Sequence, residues 1–157
     1  MKVLEVENIS KSFGKLTAVD DVSFSIEEGV VFGLIGPNGA GKTTTIRMIM
    51  NIIVPDTGDV SVLGNSDINT AADVIGYLPE ERGMYRKMKV KNLLRFLTQL
   101  KKVPKKDAIK SIDFWLERVG LPEWKDKKIE ELSKGMQQKL QFIATILHKP
   151  KLLFSFP

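Results

Sequence analysis

The chain has 157 residues, 43% hydrophobic, 8% aromatic and 27% charged, with 24 Lys and Arg against 19 Asp and Glu. That composition is too apolar for intrinsic disorder, and no apolar stretch approaches the ~18 residues of a membrane-spanning helix. The absence of cysteine excludes disulfides, thiolate zinc sites and cysteine nucleophiles. Glu5 and Glu7 stand where a signal peptide needs an apolar core, so export through an N-terminal signal is not expected.

The net charge of +5 conceals an asymmetry. Residues 1–81 carry 5 basic and 12 acidic side chains, residues 82–139 carry 17 and 7, and the last 18 residues add two lysines. A shift of that size near residue 82 predicts a subdomain boundary. The basic segment suits either a solvated face or contact with anionic headgroups.

In chain order, residues 3–9 and 22–26 alternate apolar and polar side chains, as half-buried strands do. Residues 30–35, Val-Val-Phe-Gly-Leu-Ile, predict a strand buried on both faces of a parallel sheet. Ile46, Ile49, Met50 and Ile53 predict a helix over 43–53, stopped by Pro55. Short strands are expected at 60–64 and 74–78. The period then becomes helical: Val90, Leu93, Leu94, Leu97 and Leu100 line one face, followed by Ile109, Ile112, Leu116 and Val119 with Gly120 as a stop. A third helix runs from Ser133 with Met136, Leu140, Ile143, Ala144 and Leu147 on one stripe, and a strand begins at Lys151.

Between the expected buried strand and the first helix lies Gly36-Pro37-Asn38-Gly39-Ala40-Gly41-Lys42-Thr43, which fits the P-loop pattern in its strand-to-helix context. Its glycines let backbone N–H groups approach a triphosphate. Lys42 would reach the β and γ phosphates, the Thr43 hydroxyl would meet Mg²⁺, and Thr44 extends the helix N-terminus that favours negative charge. A Gly-rich turn without ligand is the plainer alternative, and the flanking context favours nucleotide. No Asn-Lys-x-Asp guanine-reading segment is present.

Leu132-Ser133-Lys134-Gly135-Met136-Gln137-Gln138, 91 residues beyond Lys42 in its serine, resembles the signature motif of ABC transporter ATPases, Leu-Ser-Gly-Gly-Gln. The resemblance runs through the chain in order, with Phe13 at the aromatic A-loop position, Val19 after it, the P-loop, and a Q-loop position at Glu80. Residues 76–85 look like an exporter branch with separate membrane subunits. The resemblance implies an α/β fold: a P-loop NTPase (RecA-like) core with an N-terminal antiparallel β subdomain and an inserted helical subdomain, incomplete at the C-terminus. The expected division is 1–81 for the β subdomain and P-loop core, 82–139 for the helical subdomain and signature, and 140–157 for the rest.

The same resemblance assigns roles. Phe13 stacks on adenine, against the alternative of a core phenylalanine. Ser133, Lys134, Gly135 and Met136 face the γ-phosphate of a second subunit, while Ser133 also reads as an ordinary N-cap. Thr43 and Glu80 are the metal positions, with glutamate in place of the usual glutamine, and Lys134 and Met136 also depart from the usual signature. In the Walker B register, Phe156 and Pro157 stand where Asp and the catalytic Glu belong, so no catalytic residue is assigned. His148 reads as a helix C-terminal residue. The implied function is the ATP-binding subunit of an exporter, with ATP and Mg²⁺, a homo- or heterodimer of ATPase subunits and a membrane-spanning permease. The chain would lie peripheral to the inner face of the cell membrane, binding nucleotide weakly without hydrolysing it. Two alternatives stand beside this: a soluble ATPase acting on nucleic acid or ribosomes, and a non-functional product of a truncated gene.

Overall fold

A computed structural model describes residues 1–65, 73–78 and 85–155. The chain forms two compact units, Met1–Ile75 and Gly76–Pro157.

In the first unit, β1 (Lys2–Phe13) and β2 (Leu16–Glu27) make an antiparallel hairpin, and β3 (Thr57–Val62) pairs with the other edge of β1, giving the order β2-β1-β3. The alternation seen in the sequence buries Leu4, Val6, Ile9, Val19, Ile26, Val60 and Val62, together with Met48 and Ile49 of α1 (Lys42–Ile49). Bulges interrupt the hairpin where Asn8 and Asp21 take positive φ, and the Asn8 amide donates to the Asp21 carboxylate at 2.8 Å across it.

Two expectations fail here. The helix ends at Ile49 rather than 53, because Asn51 enters the left-handed region at φ 55 and closes a Schellman turn. Ile52 N–H donates to the Arg47 carbonyl at 2.9 Å and Asn51 N–H to that of Met48 at 3.0 Å. Residues 30–35 form no strand, and Val31 and Ile35 are 100% and 95% exposed. A strand requires a ladder partner, and no described residue pairs with this run.

The second unit contains all but the first residue of β4 (Ile75–Leu78), with α2 (Val90–Leu100), α3 (Lys105–Arg118), α4 (Lys134–Ile146) and β5 (Leu152–Ser155), and short 3-10 turns at Pro122–Trp124 and Ile129–Glu131. Strands β4 and β5 form a two-stranded sheet. Val90, Leu93, Leu94, Ile112, Leu116, Leu121, Ile129, Leu132, Leu140, Ile143 and Leu147 build one core. Ala108 joins the buried face of α3, whereas Ile109 and Val119 are only half-buried and Leu100 is exposed. Gly120, at φ 73, ends α3 as expected, with Leu121 N–H donating to the Leu116 carbonyl at 2.8 Å. Gly76 lets α4 and β5 approach β4: a Cβ there would lie 2.9 Å from Pro150 Cγ and 3.0 Å from both Leu153 Cδ1 and the Thr145 carbonyl. Among the described residues no helix is long and apolar enough to cross a membrane.

Candidate nucleotide site

The phosphate-loop residues lie in the first unit between the exposed run and α1. Gly36 and Lys42 are half-buried; Pro37, Asn38, Gly39, Ala40 and Thr43 are exposed, and Thr44 is half-buried. The loop closes on itself through Ala40 N–H to the Pro37 carbonyl at 3.2 Å, and helix α1 starts with Thr45 N–H to the Gly41 carbonyl at 2.8 Å.

Gly41 carries the tightest constraint. Its φ of 80 lies in the left-handed region, and a Cβ would collide with the carbonyl oxygen of Ala18 and lie 3.1 Å from Val19 Cγ2. Buried Val19 thus packs under the loop, and the hairpin that bears Phe13 is the same element that supports the phosphate cradle. Ala18 was not singled out from the sequence; the approach of its backbone carbonyl to Gly41 arises only when β2 meets the loop.

Among the described residues, no group accepts a hydrogen bond from the N–H of Gly39, Gly41, Lys42 or Thr43. Unpaired donors of this kind at the start of a helix suit an anion. The Lys42 ammonium donates to the Gly36 carbonyl at 2.6 Å and the Pro37 carbonyl at 2.8 Å, which holds its charge over the loop. The residues present therefore suit a phosphate chain.

Phe13 ends β1 with 49% of its surface exposed, which fits a stacking platform better than a core residue. The Lys11 ammonium lies 5.9 Å from the ring centroid and 2.6 Å from the Asp56 carboxylate. The Lys11 hydrogen bond, aided by Ser12 N–H at 2.7 Å, holds the Asp56 carboxyl below the usual carboxylate range.

The signature residues lie in the second unit. Ser133 is the N-cap of α4, its Oγ accepting from Met136 N–H at 3.3 Å. Lys134 and Gly135 are exposed on the first turn, and Met136 is half-buried against the helical core. Gln137, which sequence reading passed over, donates from Nε2 to the carbonyls of Ile129 at 3.2 Å and Leu132 at 3.0 Å. It ties the turn before the signature to the helix after it. Its sequence signal was its place in the signature-like segment, as an amide in the first turn of α4. His148 lies two residues beyond α4.

Glu80, Phe156 and Pro157 lie outside the described residues. Among the described residues no three His, Cys, Asp or Glu side chains gather as a metal site.

The sequence pattern of the ABC transporter family matches residues 19–155. The chain belongs to this family. ABC transporter ATP-binding protein YhaQ of Bacillus subtilis is 48% identical over 96% of the chain, and ABC transporter ATP-binding protein MJ1023 of Methanocaldococcus jannaschii 47% over 96%. The alignments cover 51% and 54% of those proteins, so this ABC chain spans about half the length of the curated relatives it matches. A solved ATP-binding subunit of an ABC transporter superposes with a TM-score of 0.87 at 27% identity, covering 96% of this chain and 64% of that one. The fold is accordingly that of an ABC ATPase domain, whose members bind ATP, generally with Mg²⁺, and work with membrane permeases.

Proposed function

We propose that this chain is the nucleotide-binding part of an exporter-type ABC transporter subunit. The observation that carries the reading is the phosphate loop, with open N–H groups at Gly39, Gly41, Lys42 and Thr43 above a loop that tolerates no side chain at position 41. Residues 36–44 hold the phosphates, Lys42 supplies charge, Thr43 and Glu80 meet Mg²⁺, and Phe13 and Val19 support the adenine. Ser133, Lys134, Gly135 and Met136 complete the site of a second subunit, and closure of the homo- or heterodimer is transmitted to a permease. The subunit then sits peripheral to the inner face of the membrane. Residues 1–81, 82–139 and 140–157 serve as loop-bearing core, helical subdomain and continuation of the signature helix.

Phosphoryl transfer depends on positioning and on neutralising charge at the metal and the attacking water. Phe156 and Pro157 offer neither a metal ligand nor a base. The chain therefore binds nucleotide without turning it over. Equilibrium dialysis with ATP tests the binding, and a phosphate-release assay tests the turnover. Binding strengthened by Mg²⁺ with no phosphate release supports the proposal. Undetectable binding overturns the first half, and Mg²⁺-dependent release abolished by Lys42→Ala overturns the second.

A further inference from the structure

The second unit gathers a basic ribbon whose two strands of charge lie far apart in sequence. Val90 N–H donates to the Lys127 carbonyl at 2.9 Å, Lys91 N–H to that of Lys125 at 3.0 Å, Ile129 N–H to Met88 at 3.0 Å and Glu130 N–H to Arg86 at 3.0 Å. Lys89 and Lys128 form an antiparallel bridge within this staple. Backbone pairing thus sets Arg86, Lys87, Lys89 and Lys91 beside Lys125, Lys127 and Lys128.

Three of these cations are neutralised locally: Lys91 by Asp126, Lys125 by Asp113, and Lys128 by Glu130 at 3.6 Å. Arg86, Lys87, Lys89 and Lys127 are exposed and have no ion-pair partner among the described residues. Asp126 and Glu130 stand within the ribbon and are taken up by Lys91 and Lys128, so these four cations leave a net positive charge on the backbone-paired staple.

Apolar side chains border it. Tyr85, 59% exposed, precedes Arg86 and meets the 39% exposed Phe96 edge-on, with ring centroids 6.2 Å apart. Phe96 and Leu100 stand four residues apart on one face of α2, where Leu100 is 59% exposed, and Lys89 is the extended residue that caps the start of the helix. Lysines on flexible stems beside exposed aromatic and aliphatic groups suit a charged plane with an apolar interior. Six lysines to one arginine supply diffuse charge rather than the planar forks that read nucleic acid. Edge-on pairing of the two aromatics also leaves them a poor platform for stacked bases.

We propose that this ribbon is a docking surface for an anionic lipid membrane, with Arg86, Lys87, Lys89 and Lys127 facing headgroup phosphates and Tyr85, Phe96 and Leu100 entering the interfacial layer. The contact is independent of nucleotide binding by the first unit.

Co-sedimentation of the full chain with vesicles tests it, comparing phosphatidylcholine alone with phosphatidylcholine containing phosphatidylglycerol. Binding should require the anionic lipid and weaken as salt shortens the screening length to about 8 Å at physiological ionic strength. A variant with Arg86, Lys87, Lys89 and Lys127 all changed to Gln should partition about tenfold less or weaker still. A control with Lys105, Lys106, Lys110 and Lys149 changed to Gln, equal in net charge, should keep most of the binding. Equal binding to neutral vesicles, equal losses in the two variants, or tighter binding to duplex DNA than to anionic vesicles at matched salt would each overturn the proposal. The wild-type lipid and salt comparisons decide the question even if a variant fails to fold.

Discussion

Apolar residues meet opposite fates in the two units. Around α2, α3 and α4 they close into one core, and the turns between the helices contribute Leu121, Ile129 and Leu132 to it. In the first unit the hairpin and α1 bury their own apolar faces, while residues 30–35, at least as hydrophobic, lie open to solvent. Hydrophobicity decides that a segment seeks burial; backbone pairing decides whether a strand forms. The difference also suits the chemistry: a helical unit stabilised from within presents a capped helix end, and the phosphate loop spans an exposed run and a short helix.

Core truncations should expose the contrast most strongly. Leu140→Ala removes a fully buried side chain of α4 and should cost about 2–5 kcal/mol in chemical denaturation. Ile35→Ser should change stability by no more than about 0.5 kcal/mol, because that side chain leaves water only slightly. A large loss at Ile35 would show that the run is covered in solution and break the comparison. Gly76→Ala forces Pro150, Leu153 or the Thr145 carbonyl to move and should destabilise the protein by about 1–3 kcal/mol in the same assay. Ser133→Ala removes the α4 cap and should cost about 1 kcal/mol, with nucleotide binding to the phosphate loop unchanged.

The smallest effect concerns acid. Asp56 in the first unit and Asp126 in the second are both held below the usual carboxylate range, mainly by hydrogen bonds from Lys11 and Lys91. A carboxyl depressed in the folded state stabilises it above the unfolded pKa, and that contribution is lost as pH falls through the folded value. Denaturation midpoints should therefore fall as pH drops below about 4, and Lys11→Met should flatten the part owed to Asp56. A wild-type midpoint flat through that range would contradict the assignment.

The helical unit was legible because its signals are local. Period, the Gly120 stop and the Ser133 cap each act within a few residues, and each is where the sequence put it. The end of α1 was misread because Pro55 is the more conspicuous stop, although Asn51 also tolerates positive φ and acts first. Leu100 matched the apolar period of α2 but lies at its last residue, past the reach of the core. In the candidate site, spacing revealed the phosphate loop and signature, whereas the Ala18 carbonyl beneath Gly41 and the Gln137 tie needed the chain to be folded. Non-local pairing was the missing ingredient for these contacts, and residues 30–35 show the same lack in the fold.

Titration calorimetry of ATP with Mg²⁺ into the full chain, its Lys42→Ala variant and its Ser133→Ala variant tests the phosphate loop most directly. The expected result is binding by wild type and Ser133→Ala, and loss of binding in Lys42→Ala with the fold intact by circular dichroism. Equal affinity in all three proteins would contradict the assignment of the nucleotide to residues 36–44.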